Sequence, residues 1–315
     1  MERRGMFRSV VYARGVWAFL ILSVACNEAE DSVSDDAKSQ TAQLCAGTDT
    51  LWIGYQRFDG MVEGGAGNTL FEENGGVFFF IDGACRYYAF DGTDGENDFG
   101  GLADIRTGVL SSEEAAGISE RLKMEQFDAL KGKSYYEGAW DCGGSVLFNA
   151  EGAFSCDCGC PSFDAPAEMS GTAEEIAKEL TAMGEPLNGL LRTVTVPHIS
   201  ECNGFESTYL SEEVPQAPPQ GFDPSASAIP ECSYSHDSAT QSVMLDGDIA
   251  DELRELRRVY REMLVESEGS VWVNRIPMIV GEDTFDVYLR DYIPFEDADG
   301  ILCPHDLSQL TIVEP

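Results

Sequence analysis

Positive charge is what this chain most lacks. Of its 315 residues, 20 are Lys or Arg against 56 Asp or Glu, a formal charge of −36. Four of those bases (Arg3, Arg4, Arg8 and Arg14) and one acid (Glu2) lie before Cys26, so the chain from Cys26 onward carries 16 bases against 55 acids. Such a surface cannot neutralise phosphates, which excludes nucleic acid as a partner. It equally excludes docking on anionic lipid head groups through a basic patch. Histidine is nearly as scarce: His198, His236 and His305 are all there are. There is no G-x-S-x-G elbow, no H-E-x-x-H, and no phosphate-binding glycine loop in a strand-to-helix setting. The apolar stretch from Val16 to Ala25 has 10 residues, whereas a membrane span needs about 20. What remains is ample for a core, with 43% hydrophobic residues and 17 Phe, so a globally disordered chain is excluded as well.

The N-terminus has the layout of an export signal. Scattered arginines precede the apolar run Val16–Leu22, and Ser23-Val24-Ala25 put small residues where a signal peptidase reads. Leu22-Ser23-Val24-Ala25-Cys26 resembles the lipobox of bacterial lipoproteins, with Ser23 standing where that family usually has an aliphatic residue. The resemblance covers this segment only. It implies that residues 1–25 are a signal peptide and that Cys26 becomes the mature N-terminus, carrying palmitate-type lipid. The partner so implied is a membrane, and the implied location is the cell envelope, at the outer membrane or the cell surface. An ordinary secretory signal cut at the same bond would make the protein secreted. Residues 26–44 are polar and acidic, and bury too little to offset the entropy of ordering, so they read as a tether.

Export implies an oxidising compartment, in which paired cysteines form disulfides. Besides Cys26, the disulfide candidates are Cys45, Cys85, Cys142, Cys156, Cys158, Cys160, Cys202, Cys232 and Cys303. Nine is odd, so a lipid-bearing Cys26 leaves one thiol over, whereas an unmodified Cys26 allows every cysteine to pair. In Cys156-Asp157-Cys158-Gly159-Cys160, C-x-C neighbours are badly placed to bridge one another, and each is expected to reach a distant partner such as Cys142, Cys202 or Cys85. A thiolate metal site would need a fourth ligand.

Pattern and turn chemistry give the elements. Strands are expected at Thr50–Arg57, Val77–Ile81 and Cys85–Phe90, the last two joined by a hairpin whose Asp82-Gly83 turn needs positive φ. Ser111 and Glu114 form a capping box that opens a helix within Thr107–Lys123. A second hairpin joins Ser145–Asn149 to Ala153–Cys156. A helix is expected over Thr172–Met183, capped by Thr172 and Glu175 and stopped at Gly184, and a strand over Leu190–Val196. Five prolines across 212–230 mark a linker or long loop. Beyond it, Ile249, Leu253, Leu256, Tyr260, Met263 and Leu264 recur at helical spacing over Asp248–Val265, followed by strands at Ser270–Val273, Pro277–Val280 and Phe285–Leu289. A repeated pattern, Cys85-Arg-Tyr87 before one helix and Cys232-Ser-Tyr234 before another, suggests two similar halves. The expected fold class is α+β, built of antiparallel hairpins with a few amphipathic helices and stapled by disulfides. Its expected organisation is a first domain over 45–211, the linker or loop at 212–230, and a second domain or subdomain over 231–315.

Three functions are weighed. The first is a binding or structural role in the envelope, toward a protein or small-molecule partner and with no cofactor. The second is a secreted hydrolase using His236 or His305, each followed by Asp and the former flanked by serines. A triad, however, is defined by geometry and not by sequence neighbours. The third is a calcium-stabilised surface protein, with Asp91, Asp94, Glu96 and Asp98 as oxygen ligands in a glycine-containing loop that lacks EF-hand spacing. Arg254, Arg257, Arg258 and Arg261 crowd the 248–265 helix. They are expected to pair within the molecule, for instance Arg258 with Glu255 and Glu262.

Overall fold

The computed structural model describes residues 51–58, 77–91, 104–136, 143–197, 214–228, 242–265, 275–294, 305 and 307–315, all within one compact unit, Thr41–Pro315. In chain order the elements are β1 (Leu51–Phe58), β2 (Phe78–Asp82), β3 (Arg86–Phe90), β4 (Arg106–Val109), α1 (Ser112–Arg121), α2 (Met124–Leu130), β5 (Lys133–Tyr135), β6 (Gly144–Asn149), β7 (Gly152–Asp157), α3 (Asp164–Met183), β8 (Glu185–Pro186), β9 (Leu191–Pro197), β10 (Val243–Leu245), α4 (Gly247–Val265), β11 (Arg275–Val280), β12 (Asp283–Asp291) and β13 (Thr311–Val313). The fold is α+β. A nine-stranded sheet runs β13-β5-β7-β6-β1-β2-β3-β4-β8, and a four-stranded sheet runs β10-β9-β12-β11. Pairing is antiparallel except for β5 with β7 and β13 with β5.

The large sheet is covered on both faces, which is why its central strands read as unbroken apolar runs. Phe79, Ile81, Leu147 and Phe154 pack with Phe127, Met169, Ile176 and Leu180 of the helices. Their neighbours Phe78, Phe80 and Phe148 turn to the other face and meet Ile293, just past β12. Close approach at the centre requires Gly54, where a Cβ would lie 2.5 Å from the Phe148 ring. In the small sheet, Ile276, Met278, Val287 and Leu289 pack on Ala250, Leu253 and Tyr260 of α4. Of the apolar stripe read from the sequence, Leu253 and Tyr260 are buried in this core and Ile249, Leu256 and Met263 pack against it half-buried.

Several expectations are corrected. The β2–β3 turn puts its positive φ (61°) on Cys85 and not on Gly83. Asp82, fully buried, fixes that turn by accepting from the Ala84 and Arg86 amides and from Arg86 Nε. Helix α3 starts at Asp164, eight residues before Thr172, and Pro166 falls in its first turn, where an amide has no helical partner to lose. The distant partners expected for Cys156 and Cys160 are replaced by a bond between the two. Left-handed φ at Cys158, Gly159 and Cys160 (55°, 70° and 36°) folds the chain back and brings the Cα atoms of Cys156 and Cys160 to 5.3 Å. Cys85 and Cys158 are disulfide-bonded too.

The segment expected as a linker or long loop lies between strands of one sheet. β9, upstream of it, pairs with β10 and β12, while β13, at the far end, returns to pair with β5. Within 214–228, Gln216 bridges Met278, Ala228 bridges Thr195, and Phe222 is buried in the α4 core. Of the repeated pattern, the first part, Cys85-Arg-Tyr87, leads from the β2–β3 turn into β3. The second half of that pattern, Cys232–Tyr234, lies outside the described residues, as do the strand expected at 270–273 and the signal and tether at 1–44.

Candidate functional site: a polar cleft between α3 and the main sheet

Tyr55 and Arg57 lie two residues apart on β1 and so share one face of the sheet. Ser145 of β6 stands directly across from Arg57 in the β1–β6 register. Above this corner runs α3, which contributes Ala167, Ser170, Gly171 and Glu174, spaced i, i+3, i+4, i+7 on one helical face. Its opposite stripe, including Met169, Ala173, Ile176 and Leu180, is buried in the core, which fixes the helix's rotation. The chain leaving β7 closes the rim, where the Cys158 amide donates to the Gly143 carbonyl at 2.8 Å. Together these elements enclose a cleft of about 370 Å³, within the size range of small-molecule sites, roughly 300–1,000 Å³.

Hydroxyl groups make the floor. Ser145 Oγ and Ser170 Oγ are 2.6 Å apart, both buried, and the Tyr55 hydroxyl lies within hydrogen-bonding reach of both. Burial pushes the Tyr55 phenol up to about 12 despite its bond with Ser170, so it stays protonated and cannot serve as a base near neutrality. At the mouth, Arg57 Nη1 donates to Glu174 Oε2 at 2.9 Å and Lys178 Nζ donates to Glu174 Oε1 at 2.8 Å. Burial raises the Glu174 pKa, but the Lys178 and Arg57 contacts outweigh it and hold the carboxyl below its ordinary value. A depressed carboxylate stabilises the fold above the usual carboxylate range, and that share is lost as pH falls through its lowered pKa.

A second polar cluster is structural. Asp291, fully buried at the end of β12, accepts from Arg254 Nε at 2.7 Å and from Arg257 Nη2 at 2.8 Å. Arg257 Nη2 also donates to Asp104 Oδ1 at 2.6 Å, ahead of β4. Desolvation lowers the Arg257 pKa, yet the two carboxylates more than offset it and the guanidinium stays charged. The cluster ties α4 and the small sheet to the segment that enters β4. Arg258 pairs with Glu255 and Glu262, as its spacing predicts.

The other sequence candidates are spread out. His305 Nε2 is 2.6 Å from the Asn149 carbonyl oxygen and so donates to it at the β6–β7 turn, away from the residues lining the cleft. His198 and His236 lie outside the described residues, as do Cys26, Cys45, Cys142, Cys202, Cys232 and Cys303. Of the proposed calcium ligands Asp91 is described, half-buried after β3, whereas Asp94, Glu96 and Asp98 are not. Among the described residues no group of three or more His, Cys, Asp or Glu is arranged to hold a metal, and no helix is long and apolar enough to cross a membrane. Of the residues that line the cleft, the sequence places Arg57 and Ser145 at strand ends and Cys158 among the disulfide candidates, and it marks none as a ligand contact. Beginning α3 at Thr172 left Ser170 and Gly171 outside the helix and hid the stripe. The chain matches no protein-family model, no curated protein and no solved structure.

Proposed function

We propose that this is an exported binding protein, held at the cell envelope by lipid on Cys26, whose ligand site is the cleft between α3 and β1–β6. The observation that carries the binding role is the cleft itself, where three buried hydroxyls and an ion pair converge on a volume suited to a small molecule. Such a convergence of polar groups in a concave site is how ligand recognition is built. A binding role suits it better than hydrolysis, since its phenol is held protonated and its carboxylate is already engaged by two cations. Export is supported by the lipobox-like segment and by the oxidised state of Cys85, Cys156, Cys158 and Cys160, which fits an envelope compartment.

The test is intact mass of protein from the native membrane fraction, alkylated before and after reduction. Expected are a chain beginning at Cys26 with added acyl mass, and at least four cysteines alkylated only after reduction. A chain without acyl mass, or one with those four thiols free beforehand, overturns the anchored and oxidised reading. The cleft is tested separately through Gly171, an exposed helical position where a Cβ meets nothing within 4 Å. Gly171→Leu fills the cleft while favouring the helix. It is expected to abolish ligand binding without lowering the melting temperature.

A further inference from the structure

Resting on the reading of the cleft as a ligand site, we infer that its ligand is a small neutral polyol, a ring bearing several hydroxyls and no charge, in the manner of a monosaccharide. The argument starts at the wall between α3 and β6. Ser145 and Ser170 are both more than nine-tenths buried, line the cleft, and hold their Oγ atoms 2.6 Å apart. Either oxygen can be the donor in that bond, because a hydroxyl proton rotates to suit its neighbours. The pair therefore answers both a group that donates and a group that accepts. An ammonium only donates and a carboxylate only accepts, whereas a hydroxyl does both.

Glu174 gives the second contact. It follows Ser170 by one turn of α3 and lines the same cleft, which separates the two Cβ atoms by about 5–6 Å. A ligand that touches both needs hydroxyls at two separate points, as a polyhydroxylated ring has and a single alcohol has not. Charge decides what those points can be. Glu174 already accepts from Arg57 at 2.9 Å and from Lys178 at 2.8 Å. A ligand ammonium would be a third cation around one carboxylate and would be repelled by the other two. A ligand carboxylate would lie beside Glu174 on a chain of net charge −36, whose field repels anions. A hydroxyl meets neither cost. It donates to a remaining lone pair of Glu174, since a carboxylate has about four acceptor sites, and it leaves both ion pairs in place.

The rest of the lining agrees. Gly143, Gly144, Gly159 and Gly171 present backbone in place of side chains, and a Cβ on Gly159 or Gly171 would meet nothing within 4 Å. Such walls leave width for a ring and little apolar surface to bury. The Tyr55 ring stacks on Phe79 with centroids 6.0 Å apart, and the residue is 1% exposed, so it offers no open face to an apolar ligand. At about 370 Å³ the cleft is at the small end of ligand sites.

The experiment is calorimetric titration of the full disulfide-bonded chain with D-glucose, D-galactose and myo-inositol, beside D-glucosamine, D-glucuronate and cyclohexanol. The first three are neutral rings with several hydroxyls, the next two each carry one charge of opposite sign, and cyclohexanol keeps a ring with one hydroxyl. At least one neutral polyol is expected to bind, with the charged probes weaker by roughly tenfold or more, the effect of a like charge brought close, and with cyclohexanol silent. Ser170→Ala is expected to weaken that polyol by roughly three- to tenfold, the loss of one neutral hydrogen bond. Gly171→Leu, at an exposed position, is expected to abolish binding and serves where Ser170→Ala fails to fold. Absence of binding by all three neutral polyols overturns the inference, as does cyclohexanol binding as tightly as they do. D-Glucosamine or D-glucuronate binding more tightly than any neutral polyol, and lost in Gly171→Leu, would sink the neutral ligand while the cleft stands as the ligand site. Polyol binding indifferent to Gly171→Leu would instead remove the cleft.

Discussion

Asp291 accepts from Arg254 and Arg257 with no exposure to solvent, while Arg258, one residue beyond Arg257 on the same helix, pairs in the open with Glu255 and Glu262. The two situations differ in what removal leaves behind. Truncating one member of a buried ionic group strands the others without water, at a cost of about 3–5 kcal/mol. Losing an exposed pair costs about 1 kcal/mol or less. Asp291→Ala is therefore expected to lower the unfolding free energy by about 3–5 kcal/mol in urea titrations, and Arg258→Ala by less than about 1 kcal/mol. Equal losses would mean that Arg257 is not sealed from solvent. The four arginines look alike in sequence. Arg258 could be read because its partners sit three and four residues away, within reach on one helix. Arg257 could not, because Asp104 lies 153 positions upstream and only the packed fold brings it near. The same limit hid Arg57 and Glu174, whose contact spans 117 positions.

Among the helices, two segments with one signature behave differently. Ser111-x-x-Glu114 and Thr172-x-x-Glu175 both fit a capping box. At Ser111 the box forms: its hydroxyl accepts from the Glu114 amide, and the Glu114 carboxylate accepts from the Ser111 amide. At Thr172 the helix is already eight residues old. The local signal misled because Thr172-x-x-Glu175 has the residues of a cap wherever in a helix it falls, while Pro166 is no bar to an earlier start, since a proline in the first turn forfeits no hydrogen bond. An interior glycine costs only about 1 kcal/mol. At Gly171 that cost is the consequence of keeping the cleft open. Ser111→Ala is expected to destabilise the fold by about 1 kcal/mol through the lost cap. Thr172→Ala is expected to stabilise it by about 0.5 kcal/mol, since alanine is the better interior residue. Denaturant midpoints of the two variants decide the matter, and a loss at Thr172 matching that at Ser111 would restore the helix start to Thr172. Hairpins were more legible than helix starts. Both the β2–β3 and β6–β7 pairs follow from apolar runs flanking short turns, although the left-handed residue at Cys85 carries no local mark.

For the whole molecule, class and composition were readable and topology was not. Alternation, caps and turns are local, so they announce strands and helices. Which strand lies beside which depends on the closure of long loops, and the pairing of β9 with β12 or of β13 with β5 leaves no trace in either segment. Net charge belongs to this scale too. With 56 acids and 20 bases, even complete pairing of every base would leave 36 acids uncompensated, and like charges on a compact body oppose folding. Salt acts on both sides of this balance. It weakens exposed pairs such as Arg121–Glu179 and Lys123–Glu168, each worth about 1 kcal/mol or less. It also screens repulsion among the surplus acids once the Debye length falls to about 10 Å, near 0.1 M. The buried Arg257–Asp291 contact is nearly indifferent, being shielded from ions. Because unpaired acids outnumber all the bases, repulsion dominates. The melting temperature is expected to rise by roughly 2–4 °C between 0.02 and 0.3 M sodium chloride, on the order of 1 kcal/mol for a fold of this size. A fall over that range, measured on the disulfide-bonded protein, would mean that surface ion pairs outweigh the acidic excess in holding the fold together.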